Sequence, residues 1–232
     1  MSESEKNSSA LNLPGEPPMQ TPLPVIANVS RIVTRVIDRI TGDRSDYPLM
    51  VAAACVEALK CHGYESRVMY GRAAWIEVME NHAIQWAGCW GESITFWVST
   101  PSGEVVDLNA SVAYKKRIHS APDQKPVQSP PILWSREVPR FYRYAPEGVA
   151  ELDLFDEKDQ NRYDAVLAEI REKCVPEKLE GENEEFPNEP ILCPGRKLLD
   201  DSKGTFKLYD RTLAVTGIPE LPEEVFLAGQ SN

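Results

Sequence analysis

The side chains of this 232-residue chain with the most chemistry to offer are five cysteines, three histidines and the carboxylates around them. Cys61, His62, His82 and Cys89 are of the types that ligate zinc. They form no Cys-x-x-Cys pair and no His-x-x-x-His spacing, so neither a metal nor another cofactor is expected. His62 stands at the end of a predicted helix, where an imidazole interacts with the C-terminal dipole. Trp75, Trp86, Trp90 and Trp97 crowd one region. Indole offers a large contact area at little entropic cost, which suits a groove for a peptide or acyl group. Trp75 and Trp97 fall in predicted strands and read as core. Trp86 and Trp90 fall in a segment without clear periodicity and are the better groove residues; Trp97 is kept beside them as a candidate. No glycine-rich phosphate loop is present, since "GRAAW" and "PSG" lack the pattern.

The elements that must position these groups follow from periodicity. Residues 1–23 are rich in Ser, Glu, Asn and Pro and read as a disordered tail, unable to bury enough apolar surface to offset ordering. Pro24 opens a helix in which Ile26, Val29, Val33, Val36, Ile37 and Ile40 recur at helical spacing until Gly42 stops it. A second helix, Pro48 to Cys61, is small and apolar nearly all round, which marks a buried central helix capped by Gly63. "ESRVMYG" reads as a strand ended by Gly71, and "RAAWIEV" as another. Ile94 to Ser99, a turn at Pro101-Ser102-Gly103 and Glu104 to Leu108 read as a strand, turn and strand. Ser120 to Pro131 reads as a linker, and "ILWSREVPRFYRY" as a strand broken by Pro139. A helix is predicted over Glu157 to Cys174, a loop over Glu177 to Pro190, and a strand over "GTFKLYDRTLAV". A helix followed by an antiparallel sheet is an α+β layout.

Three pieces of that layout resemble the papain-like and transglutaminase-like cysteine enzymes. In "CHGYESRVMYG" a buried helix runs into Gly63, Arg67 and Gly71. "TFWV" is similar to the family's His-x-Trp-Val strand start, and "GEVVDLN" to its strand that ends in Asp. The resemblance covers about Asp43 to Asn109. It implies a core over residues 24–120 with an acidic, Pro-rich extension, residues 121–232, packed on it. It also implies a thiol at the start of the helix, an imidazole as base and a carboxylate that fixes the imidazole's tautomer. Carried over by position, the nucleophile falls at Pro48 or Leu49 and the base at Thr95, neither of which can do that chemistry. Asp107 fills the third position. Cys55 lies seven residues beyond Pro48, about two turns deeper on the same helix side. With His82 as base and Asp107 as orienting group, it would make a relocated triad. Within "AAACVEAL", Cys55 also reads as a small buried hydrophobe with an inert thiol.

Two functions are therefore carried forward. The leading one is a degenerate, non-catalytic binding module that takes a protein, peptide or small acyl ligand in the old cleft, with Thr95, Trp86, Trp90 and Trp97 lining it. The other is a cysteine-dependent acyltransferase or hydrolase of amides or thioesters using Cys55, His82 and Asp107. A formal charge of −11 disfavours nucleic acid and anionic membranes as partners. Fourteen acidic and five basic residues fall between Glu151 and Pro190, which reads as a solvated face. An odd number of cysteines without regular spacing, and no apolar run at the start, point to reduced thiols in the cytoplasm.

Overall fold

The computed structural model describes residues 20–79, 83–116, 126, 130–152, 156–174, 191–193 and 216–226. It is an α+β fold in which three helices cover one face of a curled, mixed, seven-stranded sheet. Helix α1 spans Leu23–Thr41 and α2 spans Pro48–Cys61, each with a proline in its first turn, where the missing N–H costs nothing. Gly42 (φ 87°) and Gly63 (φ 81°) follow them in the left-handed region, as their positions predict. Helix α3 spans Glu157–Lys173, with the Asp156 side chain accepting from the N–H of Asp159. Its buried stripe is Tyr163, Val166 and Ile170.

The start of the fold is earlier than predicted. Thr21 is buried, and its N–H and hydroxyl bind Glu104, so residues 20–23 belong to the folded body rather than to a tail. Residues 1–19, the greater part of that predicted tail, lie outside the described residues.

The sheet is organised by one long strand, β1, Arg67–Val78, where two strands were predicted. Gly71 does not end it. The glycine marks a bulge where strand β6 (Tyr142–Val149) crosses, and a Cβ there would lie 2.2 Å from the carbonyl oxygen of Ala145. Strands β2 (Ile84–Cys89) and β3 (Thr95–Ser99) both run antiparallel to β1, against Ala73–Val78 and Arg67–Gly71 respectively. They follow one another along one edge of β1, while β6 (Tyr142–Val149) takes the other edge. The unassigned segment before Gly91 thus contains a strand, which its mixed polar and aromatic sequence concealed.

Strand β4 (Val105–Asp107) pairs with β3, and β5 (Ile132–Ser135) pairs with β4. Strand β7 (Ile191–Leu192) runs parallel to β5, so the sheet is mixed rather than antiparallel throughout. The predicted strand around Pro139 resolves into β5 and β6, separated by a turn. Both are woven into the sheet, and α3 packs on α1 and α2, so β5, β6 and α3 are part of the core. The loop predicted over Glu177 to Pro190, the strand predicted over 204–215 and most of the 120–131 linker lie outside the described residues. No helix among the described residues is long and apolar enough to cross a membrane.

Candidate functional site

Residues facing each other across paired strands share a sheet face, and the face alternates along each strand. Val68, Val98 and Val106 point to the helices and join α2 in the larger apolar core. Met69, Trp97, Ser99, Val105 and Asp107 point the other way, with Met69 opposite Trp97 and Ser99 opposite Val105. On that second face Met69, Trp97, Ser99, Val105, Tyr144 and Pro146 line a groove of about 320 Å³. Its floor is apolar and aromatic. The Trp97 and Tyr144 rings meet with centroids 5.1 Å apart, and Tyr142 stacks on Tyr144 at 6.4 Å.

Asp107 sits at the end of β4 beneath this aromatic layer and is buried. Its Oδ2 accepts a hydrogen bond from the Tyr144 hydroxyl at 2.8 Å, and its Oδ1 accepts one from the backbone N–H of Asn109 at 2.9 Å. Burial pushes the Asp107 carboxyl up to about 6. The bonds from Tyr144, Asn109 and Ala110 and the charge of Arg44 pull the other way without cancelling it. The Tyr144 hydroxyl is raised well above its ordinary value, first by burial and then by the charge of Asp107. Arg44 is itself buried, paired with Asp38 and donating to Ser111 Oγ at 3.0 Å.

The predicted triad is only partly assembled. Cys55 and the Asp107 end of β4 both border a seam between α2 and the β3 and β4 strands, a seam with no room for a water molecule. Cys55 is 1% exposed, and burial, with Cys174 and Asp107 nearby, drives its thiol far above the ordinary value. The structure places Cys55, the predicted nucleophile, in the core, where burial disfavours the thiolate that a nucleophile needs. Its place in the apolar run of α2 is the reason. His82 lies outside the described residues. Pro48 is the first residue of α2 and Thr95 the first of β3.

The tryptophans divide differently from expectation. Trp86 is buried, and its indole N–H donates to the carbonyl of Pro219 at 2.6 Å. The C-terminal segment 216–226, which includes the short helix α4 (Glu223–Phe226), lies over this part of the sheet. Val225 is buried there, and Arg72 donates to the carbonyl of Glu224 at 2.6 Å. Trp86 is therefore covered by the chain itself and is corrected from groove residue to packing residue. Trp90 is half-buried against the same cluster. Trp97, read first as core, is both buried and a groove wall. Tyr144 was missed; the alternation of Tyr142 and Tyr144 in "FYRYA" was its available signal. Cys61, His62 and Cys89 do not converge. Cys89 is pushed up to about 11, chiefly by burial, and His62 Nε2 lies 3.1 Å from Asn28 Oδ1. Among the described residues no three His, Cys, Asp or Glu side chains are grouped to hold a metal ion.

No known family's model matches the chain, and no curated protein matches it. A crystal structure described only as that of a genomics target aligns over 76% of this chain and 87% of its own, with a TM-score of 0.40 and 11% identity. That likeness is too distant to carry a family or a function.

Proposed function

We propose that this chain is a non-catalytic member of the transglutaminase-like or papain-like lineage, and that it binds a peptide or small acyl ligand in the groove beside Trp97 and Tyr144. The observation that carries the reading is the pairing of an open aromatic groove with a sealed thiol. The groove offers ring faces and the Ser99 hydroxyl on the side of the sheet that carries Asp107. Cys55, on the helix side, has no solvent path and no tendency to ionise. Pro48 and Thr95 begin the helix and the strand that hold the reactive pair in the lineage the sequence resembles, and neither side chain can replace that pair. A ligand held there gains apolar and stacking contact from the groove walls.

The test is saturation-transfer NMR with a pool of N-acetylated dipeptide amides and short-chain acyl-glycines. Transfer to some members is expected, and Ser99→Phe, which fills the groove from its half-buried lip, is expected to abolish it while leaving the circular dichroism unchanged. Absence of transfer, or transfer indifferent to Ser99→Phe, sinks the proposal. Iodoacetamide supplies the complementary readout. Cys55 is expected to stay unlabelled in the folded chain at neutral pH, and rapid selective labelling would restore the thiol enzyme in its place.

A further inference from the structure

Helices α2 and α3 lie side by side with their directions parallel, and two polar contacts fix their register. Arg162 donates to the Tyr47 hydroxyl at 2.6 Å at one end, and Arg171 donates to Glu57 Oε1 at 2.6 Å near the other. From the first contact to the second, both chains advance by nearly the same number of residues, so the two helices stay in step. One further turn on the same faces, i+4 from Glu57 and i+3 from Arg171, brings Cys61 opposite Cys174. Cys61 is the last residue of α2, and Cys174 caps α3 with its N–H on the carbonyl of Ile170 at 2.7 Å. The electrostatics agree with that placement, for Cys61 acts on the Cys174 thiol and Arg171 acts on Cys61.

We infer that Cys61 and Cys174 form an oxidisable dithiol whose reaction partner is a low-molecular-weight disulfide. The two thiols differ in access, which sets their order. Cys61 is partly exposed, with Arg171 and Lys60 offsetting some of the rise that burial and Glu57 cause in its thiol. Cys174 is 2% exposed and pushed up to about 12, chiefly by burial. Cys61 therefore attacks first. Its sulfur displaces one half of the small disulfide as a thiol and leaves a mixed disulfide on α2. The Cys174 sulfur then displaces the second half. Two protein thiols become one S–S bond, the small disulfide is reduced to two thiols, and the two protein thiol protons pass to the two leaving sulfurs. The bond ties the C-terminal ends of α2 and α3 together and closes a long loop, which restricts the unfolded chain and raises the thermal midpoint.

Cys55 is the competing partner, since it too lies close enough to act on Cys174. The experiment incubates the full chain with oxidised glutathione, blocks free thiols, digests under non-reducing conditions and reads cross-linked peptides by mass spectrometry. The expected product joins Cys61 to Cys174 with loss of two hydrogens, and the oxidised protein melts several degrees higher than the reduced one. Cys61→Ser, at a partly exposed helix end that tolerates the change, is expected to abolish both the cross-link and the shift. A stable glutathione adduct on Cys61 that Cys174 does not resolve, a Cys55–Cys174 cross-link, or no reaction would each overturn the inference.

Discussion

Two buried carboxylates stand at opposite ends of the short β4 segment, and they live differently. Glu104 is 0% exposed and has gathered every partner it needs from nearby. Its Oε2 accepts from Thr21 Oγ1 at 2.8 Å, Ser102 Oγ at 2.8 Å and Thr100 Oγ1 at 3.1 Å, and the Thr21 N–H adds a longer bond. Asp107 accepts from one phenol and from backbone N–H groups, is pushed up to about 6, and lies under a groove. A carboxylate surrounded by hydroxyls is a latch that fastens the entry of α1 to the β3–β4 turn. A carboxylate left with fewer donors keeps a proton equilibrium near neutrality.

The sharpest way to break this contrast is Glu104→Ala. It strands three buried hydroxyls and one N–H, so a loss of about 4 kcal/mol is expected in urea unfolding. A loss below about 1 kcal/mol would mean that the hydroxyl cluster satisfies itself and that Glu104 is no latch.

Asp107 should reveal itself through pH rather than through a flat loss. Its unfolded carboxyl titrates near ~3.9, and its folded one near about 6. Between those values the folded state binds more protons than the unfolded one, so stability is greatest below the lower value, falls as pH rises through about 6 and then levels off. The drop is about 3 kcal/mol at most. Asp107→Asn is expected to lack that step, so the stability of the wild type relative to the variant falls by it between pH 4 and 7.5. A difference that stays constant across that range would place the Asp107 titration elsewhere.

How much of this was legible beforehand depends on the distance over which each feature is determined. Helix α2 and its caps are local, and Pro48, the apolar run and Gly63 spelled them out. Asp107 was visible as an acid ending a strand, and the burial of Cys55 was visible in "AAACVEAL". Tyr144 was not visible as its partner, because the two residues meet only when β6 crosses the bulge at Gly71. Trp86 was misplaced for the same reason. The carbonyl that takes its indole N–H belongs to Pro219, far along the chain, and no local pattern announces that cover. Gly71 itself was read as a stop because glycine usually is one. Here it answers a carbonyl from another strand.

Tyr144→Phe sharpens the contrast at smaller scale. It deletes one hydrogen bond to a charged acceptor and keeps the ring that lines the groove. A loss of about 2 kcal/mol is expected at pH 7.5, shrinking below pH 5, where the Asp107 proton is already in place. Because the Tyr144 bond pulls the Asp107 value down, its removal moves the midpoint further above about 6. Ligand transfer in the groove should persist, since stacking survives. A collapse of binding in this variant would make the hydroxyl, not the ring, the recognition element.

The smallest effect is expected from Cys55→Ala, and it discriminates the most. Removing a buried sulfur leaves a small void, which costs about 1 kcal/mol. The informative readout is the Asp107 midpoint, followed by the NMR shift of its side-chain carboxyl carbon. Cys55 lies close enough for a charge on its sulfur to act on Asp107. A protonated thiol carries no such charge, so with Cys55 neutral across the range the midpoint stays where it was. A thiolate would have been repelling Asp107, and its removal would lower the midpoint by a measurable step. A fixed midpoint is thus what an inert thiol requires, and a falling one would return the sulfur beneath Asp107 to chemistry.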